Sequence, residues 1–335
     1  MSARYLTLAI TPELAGLEVN TLLRRTLGLS GTVLRRVKWL EDGITLDGVR
    51  VHVRVRVSEG QTLSVRLTGP APSPGQSPLQ GERPSGIPPC APLPLLSPPD
   101  PLRRDPAGVV PAPGPLDIVY EDADLVVLNK APGVLVHPGH GHFDDTLGNF
   151  LLYHYRQSGE ESGFHPVHRL DKGTSGLLVI AKHPHAQERL KNQLHTGGFR
   201  RVYLAVCDGA PPAPSGTVDA PIGRAEGSLA RRAVCPDGQP ARTRYRVLQT
   251  FGPRSLVELE LETGRTHQIR VHMAHLGCPL TGDFLYGAEN RALIARPALH
   301  SAQLELAHPI TGEGLRFTAP LPADLAALIP KEDIP

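Results

Sequence analysis

The chain lacks the features that mark disulfide scaffolds, zinc ribbons and membrane proteins. Four cysteines occur in 335 residues, and no two of them form a CxxC pair, so the sequence indicates a reducing compartment. No apolar run approaches the roughly eighteen residues that a membrane helix needs. The N-terminus has no apolar core or cleavage site of a signal peptide. These absences predict a soluble, cytoplasmic protein with no membrane partner.

A large charge excess is also lacking, since the formal net charge is +2. The positive charge is nevertheless uneven along the chain. Up to Thr68 there are ten lysines and arginines against six acidic residues. Several of the basic residues stand close together, at Arg24-Arg25 and at Arg35-Arg36-Val37-Lys38. This distribution indicates a polyanion-binding segment at the N-terminal end rather than a uniformly basic protein.

Proline is abundant, with 35 residues in the chain, and it divides the sequence. Residues 70–115 are rich in proline, with glycine and serine interspersed. Proline removes backbone donors and prevents helix formation, so we expect a flexible linker here. The sequence therefore predicts a small N-terminal domain (residues 1–69) and a larger C-terminal domain (residues 116–330).

The N-terminal domain shows short helices beside a small sheet. The pattern predicts a strand over Tyr5–Ala9, a helix around Leu17–Leu27, and a second helix that Ser30 caps and that runs to Leu40. A hairpin begins at Ile44. The valines that alternate from Val51 to Val57 then predict a strand whose outer face carries His52, Arg54 and Arg56.

This small α/β arrangement resembles the αL RNA-binding motif over most of residues 15–67. The resemblance implies that the basic helix residues contact RNA; these are Arg24, Arg35, Arg36 and Lys38. The alternative interpretation is that the same residues form only a solvated helix face.

The C-terminal domain contains more strands than helices, and most strands follow one another through turns. We expect an α+β domain built on a mixed, mainly antiparallel sheet. Strands are predicted within residues 116–130 and over 176–182, 200–207, 242–250, 255–262, 299–306 and 315–318. Helices are predicted over residues 145–155, 185–195 and 266–276.

The most informative stretch is His168-Arg-Leu-Asp-Lys-Gly-Thr-Ser-Gly-Leu-Leu178. It places Asp171 between an exposed dipeptide and a buried apolar strand, with small residues in between. A carboxylate on such a tight turn is held rigidly, as a nucleophile or general base requires. An aspartate in a turn is, however, more often only a hydrogen-bonding turn residue.

Three further segments accompany this stretch: residues 129–138 (NKAPGVLVHP), 201–205 (RVYLA) and 263–272 (TGRTHQIRVH). Together they closely resemble the RluA-type family of pseudouridine synthases over about residues 116–320. Residues 282–287 (GDFLYG) add a weaker match. The resemblance implies isomerisation of uridine to pseudouridine in structured RNA, with no cofactor. Ribosomal RNA of the large subunit is the expected substrate, transfer RNA an alternative, and a monomer the expected state.

The resemblance also assigns roles to individual residues. Asp171 would be the catalytic carboxylate, acting either by attack on the anomeric carbon or by removal of the 2′ proton. Arg265 would form an ion pair with it, and Tyr203 would stack on the target base. Arg169 would enter the RNA in place of the extruded base. His168 and Thr174 complete the expected substrate-binding residues.

Two other functions compete with this one. A catalytically silent RNA-binding assembly factor could lose Asp171, Tyr203 or Arg265 freely, yet all three are present. A histidine-dependent hydrolase or zinc enzyme would need a nucleophile elbow or a His-Glu-x-x-His motif, and the sequence contains neither. We therefore expect no metal site among the histidines.

Overall fold

The computed structural model describes residues 3–40, 42–68, 108–139, 141–228 and 230–330. By its internal contacts the chain divides into two compact units, residues 1–111 with 155–162, and residues 112–154 with 163–335. We call them unit 1 and unit 2. Most of the predicted linker lies outside the described residues, so its flexibility and the exact domain boundaries stay predictions.

Unit 1 contains a four-stranded antiparallel sheet in the order β1-β4-β2-β3. Its elements are β1 (Tyr5–Ala9), α1 (Val19–Thr21) continued by a π-helical segment (Leu22–Thr26), α2 (Gly31–Val37), β2 (Ile44–Leu46), β3 (Val49–Arg50) and β4 (Thr62–Arg66). The Ser30 side chain accepts a hydrogen bond from the Val33 amide at 3.3 Å, as expected of an N-cap. Helix α2 ends at Val37, before the predicted Leu40.

The strand predicted over Val51–Val57 is wrong. Strand β3 ends at Arg50, just before this stretch. The backbone of the valine run pairs with the start of the first helix instead. The amides of Val19 and Asn20 donate to the carbonyls of Val55 and Val53. The alternation nevertheless predicted exposure correctly for His52, Arg54 and Arg56. The valines do not all point inward, however, since Val55 is 37% exposed.

Unit 2 is built on a large sheet in the order β10-β13-β14-β9-β15-β8-β6-β5, with β16 beside β15 and β7 beside β8. Its strands are β5 (Ile118–Glu121), β6 (Leu125–Lys130), β7 (His165–Pro166), β8 (Ser175–Ala181), β9 (Arg200–Asp208), β10 (Ser215–Asp219), β11 (Ile222–Arg224), β12 (Arg232–Val234), β13 (Arg242–Phe251), β14 (Arg254–Leu261), β15 (Leu299–Ala307) and β16 (Gly314–Thr318). Its helices are α4 (Pro184–Thr196), α5 (Gln268–His275) and α6 (Ala323–Ala326), while α3 (Leu147–Gln157) begins in unit 2 and its last three residues are counted with unit 1.

The expected fold class, an α+β domain on a mixed and mainly antiparallel sheet, is confirmed. Strands β8 and β15 run parallel, while the other pairs of the large sheet are antiparallel. Strand β8 is buried over its whole length because helix α4 packs against it and its neighbours flank it on both sides. In the part of the chain that the structure describes, no helix is long and apolar enough to cross a bilayer.

The junction of β8 and β15 depends on a glycine. Gly176 has φ +105°, and a Cβ at this position would lie 2.2 Å from the Ser301 carbonyl oxygen on β15. Only a residue without a side chain permits this close approach. The contact holds the beginning of β8, and therefore the turn that precedes it, against the centre of the sheet.

We expect Gly176→Ala to lower the free energy of unfolding by at least about 2 kcal/mol, since the added methyl group meets backbone in an unfavourable conformation. Gly314→Ala is the matched control, because a Cβ at Gly314 meets nothing within 4 Å. Urea denaturation of both variants measures the difference. Equal stability of the two variants would contradict the proposed close packing.

Candidate active site

Asp171 lies on a tight turn directly before β8. The Thr174 amide donates to the Asp171 carbonyl at 3.0 Å and closes the turn, so Thr174 shapes this loop through its backbone. The Gly133 amide donates to the Lys172 carbonyl at 2.8 Å, which ties the turn to the loop after β6. The Asp171 side chain remains 22% exposed. It is thus presented from a backbone that is held on both sides.

Lys130 lies beneath this turn and was not identified from the sequence as a site residue. Its side chain is buried, and Nζ donates to the carbonyls of Ala131, Val134 and Lys172 at 2.9, 2.8 and 3.1 Å. Three carbonyl acceptors match the three donors of an ammonium group. Burial lowers the pKa of Lys130 to about 7. The lysine therefore joins two loops at the site rather than facing the substrate.

Arg270 on helix α5 is the arginine nearest to Asp171, with 3.7 Å between Nη1 and Oδ2. Its Nε and Nη2 donate to the two carboxylate oxygens of Asp283, both at 2.7 Å. Burial alone would lower the pKa of Arg270, but the bonds to Asp283 raise it. Arg270 therefore stays charged, and its third nitrogen, Nη1, is left to face Asp171.

Arg265 does not form the predicted ion pair, which is a correction to the role implied by the resemblance. Its side chain is exposed, and Nε donates to the Pro240 carbonyl at 3.0 Å. The physical reason is that Arg265 lies before helix α5, in a turn. The Gln268 side chain stabilises this turn by accepting a hydrogen bond from the Arg265 amide at 2.9 Å. Arg265 still lines the cleft around Asp171.

His267 approaches the same carboxylate, with 3.8 Å between Nε2 and the Asp171 Oδ2. It adopts a left-handed conformation, φ +60°, at the residue before α5. Its Nδ1 lies 2.8 Å from the Tyr286 hydroxyl, and the Tyr286 ring lies 5.0 Å from the Arg270 guanidinium. Burial lowers the pKa of His267, and Asp171 opposes that shift.

Asp283 and Tyr286 were also missed as site residues. Both come from the GDFLYG segment, which is the sequence signal that could have identified them.

Two cavities meet at Asp171. The first, about 570 Å³, is lined by Lys191, Arg201, Tyr203 and Arg265. The second, about 650 Å³, is lined by Val136, Lys172, Phe284 and Arg296. Arg169, Asp171, Thr174 and Arg270 line both. Volumes of this size suit small organic groups such as nucleosides.

Tyr203 and Arg169 differ in their exposure to solvent within this cleft. Tyr203 belongs to β9 and is 3% exposed, and burial raises the pKa of its hydroxyl. Arg169 is exposed and lines both cavities. The structure therefore brings Tyr203, Arg169 and Asp171 to one cleft.

Comparison with known proteins supports the same assignment. The family described as RNA pseudouridylate synthase matches residues 124–275. An uncharacterized RNA pseudouridine synthase of Chloroflexus aurantiacus is 51% identical over 60% of this chain, which spans 64% of that relative, just under two thirds. The ribosomal large subunit pseudouridine synthase D of Vibrio parahaemolyticus is 46% identical over 64% of this chain and 70% of its own.

The chain belongs to the RNA pseudouridylate synthase family. A solved structure, human RNA pseudouridylate synthase domain containing 1, superposes with a TM-score of 0.52 and 30% identity. The match covers 62% of this chain and 83% of the human one. The family resemblance and the expected isomerase class are thereby confirmed.

His168 differs from the role expected for a substrate-binding residue of this synthase family. Its Nε2 accepts a hydrogen bond from the Val179 amide at 3.2 Å, and its ring packs edge-on against Phe199 with centroids 5.5 Å apart. Burial lowers the pKa of His168 to about 3. The ring is therefore neutral at physiological pH and supports β8 rather than offering a cation to phosphate.

The basic residues predicted in unit 1 are not equivalent. Arg24, Arg35 and Lys38 are exposed, whereas Arg36 is half-buried. Burial also lowers the pKa of Arg36. Of these four, only the three exposed side chains therefore remain as candidates for direct contact with phosphate.

One group of side chains within the described ranges has the spacing of a metal site. Ligand atoms of Asp122, Asp124 and His308 lie within 4.8 Å of one another. Hydrogen bonds already explain this arrangement: His308 Nε2 lies 2.9 Å from Asp122, and His183 Nε2 lies 3.0 Å from Asp124. Both aspartates lie at the end of β6 opposite Lys130, about 20 Å from the turn that carries Asp171 at roughly 3.3 Å per residue.

The structure predicts different consequences for the two arginines. Arg270→Ala should lower the free energy of unfolding by about 3–5 kcal/mol, because it leaves the buried Asp283 carboxylate unpaired. Arg265→Ala should change it by less than about 0.5 kcal/mol, since that side chain is exposed. Denaturant titration measures both values.

The double variant Arg270→Ala/Asp283→Ala should recover part of the loss, because the stranded charge is removed. If Arg265→Ala proves as destabilising as Arg270→Ala, or the double variant recovers nothing, the assigned pairing is wrong.

Proposed function

We propose that this protein isomerises specific uridines to pseudouridine in structured RNA, with Asp171 as the catalytic carboxylate. The observation that supports this most directly is the place of Asp171. Its carboxylate lies where two cavities meet, partly open to solvent and 3.7 Å from the buried Arg270. A carboxylate that a fixed cation orients is suited to attack on carbon or to proton removal.

The reaction rearranges bonds without a change of redox state. The bond between N1 and C1′ breaks, the uracil turns, and a bond between C5 and C1′ forms. A proton leaves C5, and N1 gains one. Asp171 would assist either by attack on C1′, forming an ester bond that breaks as C5 bonds to C1′, or by removal of the 2′ proton, which it later returns. Arg270 would hold the carboxylate in its orientation. No oxidant or phosphate donor enters this balance.

Tyr203 and Arg169 would assist extrusion and binding of the target base. A target uridine inside folded RNA must leave its stack before reaction, which costs a few kcal/mol. The exposed guanidinium of Arg169 can take the vacated position and stack on neighbouring bases, which offsets part of that cost. The buried ring of Tyr203 would then contact the uracil within the first cavity.

Large-subunit ribosomal RNA is the proposed substrate, with transfer RNA as the alternative. The Vibrio relative is named for the ribosomal large subunit. The exposed cations of unit 1, Arg24, Arg35 and Lys38, support an RNA-anchoring role for that unit. A cytoplasmic monomer suits such a substrate. A silent assembly factor is less favoured, because Asp171, Tyr203 and Arg169 share one cleft.

Asp171→Asn should abolish pseudouridine formation, because the change removes charge and basicity while keeping nearly the same shape. Purified variant and wild type are incubated with large-subunit ribosomal RNA from a strain lacking this protein. Pseudouridine is then mapped by chemical labelling. RNA affinity and thermal stability serve as controls and should stay near wild-type values. Appreciable product from the variant would refute the assignment.

Replacement of Arg24, Arg35 and Lys38 by glutamine should weaken RNA binding and flatten its salt dependence, because fewer counterions are released from phosphates. The rate on saturating RNA should change much less. Arg244 and Arg246, exposed on β13 and paired with Glu262 and Glu258, are the matched control for loss of charge. An unchanged salt slope in the first variant would show that its residues form only a solvated face.

A further inference from the structure

Unit 1 carries an exposed tryptophan that the proposed reaction does not use. Trp39 follows helix α2 and is 46% exposed, and it is the one tryptophan of the chain. The hydrophobic core of unit 1 consists of aliphatic residues from α1, α2 and the sheet, and the described core does not include Trp39. Packing of this core therefore does not account for the ring.

One basic side chain lies over the ring, and two others are its near neighbours in the backbone. Lys38 Nζ lies 5.4 Å from the centroid of the Trp39 ring, the distance of a cation–π contact. Arg50, exposed on β3, donates from Nη2 to the Lys38 carbonyl at 3.2 Å. Arg35, also exposed, stands one helical turn before Trp39. We call Arg35, Lys38, Trp39 and Arg50 the Trp39 patch.

The acidic residue nearest in the described sequence is occupied elsewhere. Asp42 lies 2.8 Å from the Arg66 guanidinium and also accepts the Tyr5 hydroxyl. Arg66 also binds Glu161, so Asp42 is engaged by partners outside the Trp39 patch, whose three basic side chains give it a positive character. A flat aromatic surface beside cations is complementary to a nucleobase attached to phosphate, since every base can stack and every linkage is anionic.

We propose that Trp39 is a base-stacking site for an unpaired nucleotide of the RNA, with Lys38, Arg35 and Arg50 binding the adjoining phosphates. This inference deepens the proposed RNA-anchoring role of unit 1 and rests on it. It differs from a purely electrostatic anchor in one respect: the ligand must contain bases. A protein partner, which would use the same ring as an apolar contact, is the alternative that the test can reveal.

The fluorescence of Trp39 tests the proposal directly, because no other tryptophan contributes to the signal. Wild-type full-length protein is excited where tyrosine does not absorb and is titrated with poly(U), then with heparin at equal charge and equal salt. Poly(U) should quench the emission saturably, because a stacked base quenches indole. Heparin, a polyanion without bases, should bind yet leave the emission nearly unchanged.

Variants give a second measurement by filter binding. Trp39→Ala should weaken poly(U) binding about 5- to 100-fold, and Trp39→Phe should retain most of the affinity, because stacking on an aromatic ring is worth that factor per base. Heparin affinity should change less than about twofold, as expected when the cations remain. Val49→Ala, at an exposed apolar residue of β3, is the matched control and should bind as wild type.

Equal quenching by poly(U) and heparin would overturn the proposal in favour of a charge effect alone. Binding of poly(U) without any quenching would overturn it as well and leave the ring for a protein partner. Either result is separable from the proposed enzyme function. A protein that forms pseudouridine but shows no quenching refutes only the stacking site, and quenching without product refutes only the activity.

Discussion

The buried ion pair between Arg270 and Asp283 is the interaction on which the site geometry depends. Both groups are almost fully buried and satisfy each other through two bonds of 2.7 Å. Burying two charges is costly, and only a bidentate contact of this quality offsets that cost. Once the pair is formed, the orientation of the guanidinium is determined. Its remaining nitrogen then points toward Asp171. The cation beside Asp171 is therefore held in place by Asp283 and not by Asp171 itself.

A second constraint acts on the backbone beneath Asp171. The turn is joined to the loop after β6 by Lys130 and Gly133, and β8 begins at the close contact between Gly176 and Ser301. These contacts limit movement of the carboxylate along the strand direction. The carboxylate is therefore positioned by backbone contacts rather than by its own side-chain partners alone.

Much of the fold could be predicted from the sequence because long apolar runs bounded by glycine and proline are strong local signals. Strands β8, β9 and β15 and helix α4 lie within one or two residues of their predicted bounds. Elements with weak sequence signals were predicted poorly. Strands β10 to β12 escaped prediction because they are short and mix polar with small residues, and the valine run at 51–57 pairs with a helix start rather than a sheet.

The sequence by itself determined the family and the reaction class, and it predicted Asp171 as the catalytic carboxylate, because the motif around Asp171 is local and specific. Only the tertiary structure decided which partner that carboxylate has. Arg265 and Arg270 belong to the same motif, and chain spacing does not reveal which of them faces a residue almost a hundred positions away. The start of helix α5 settles this: Arg265 lies before it, and Arg270 lies on its buried face. The same holds for His168, whose ring the fold turns inward to the Val179 amide.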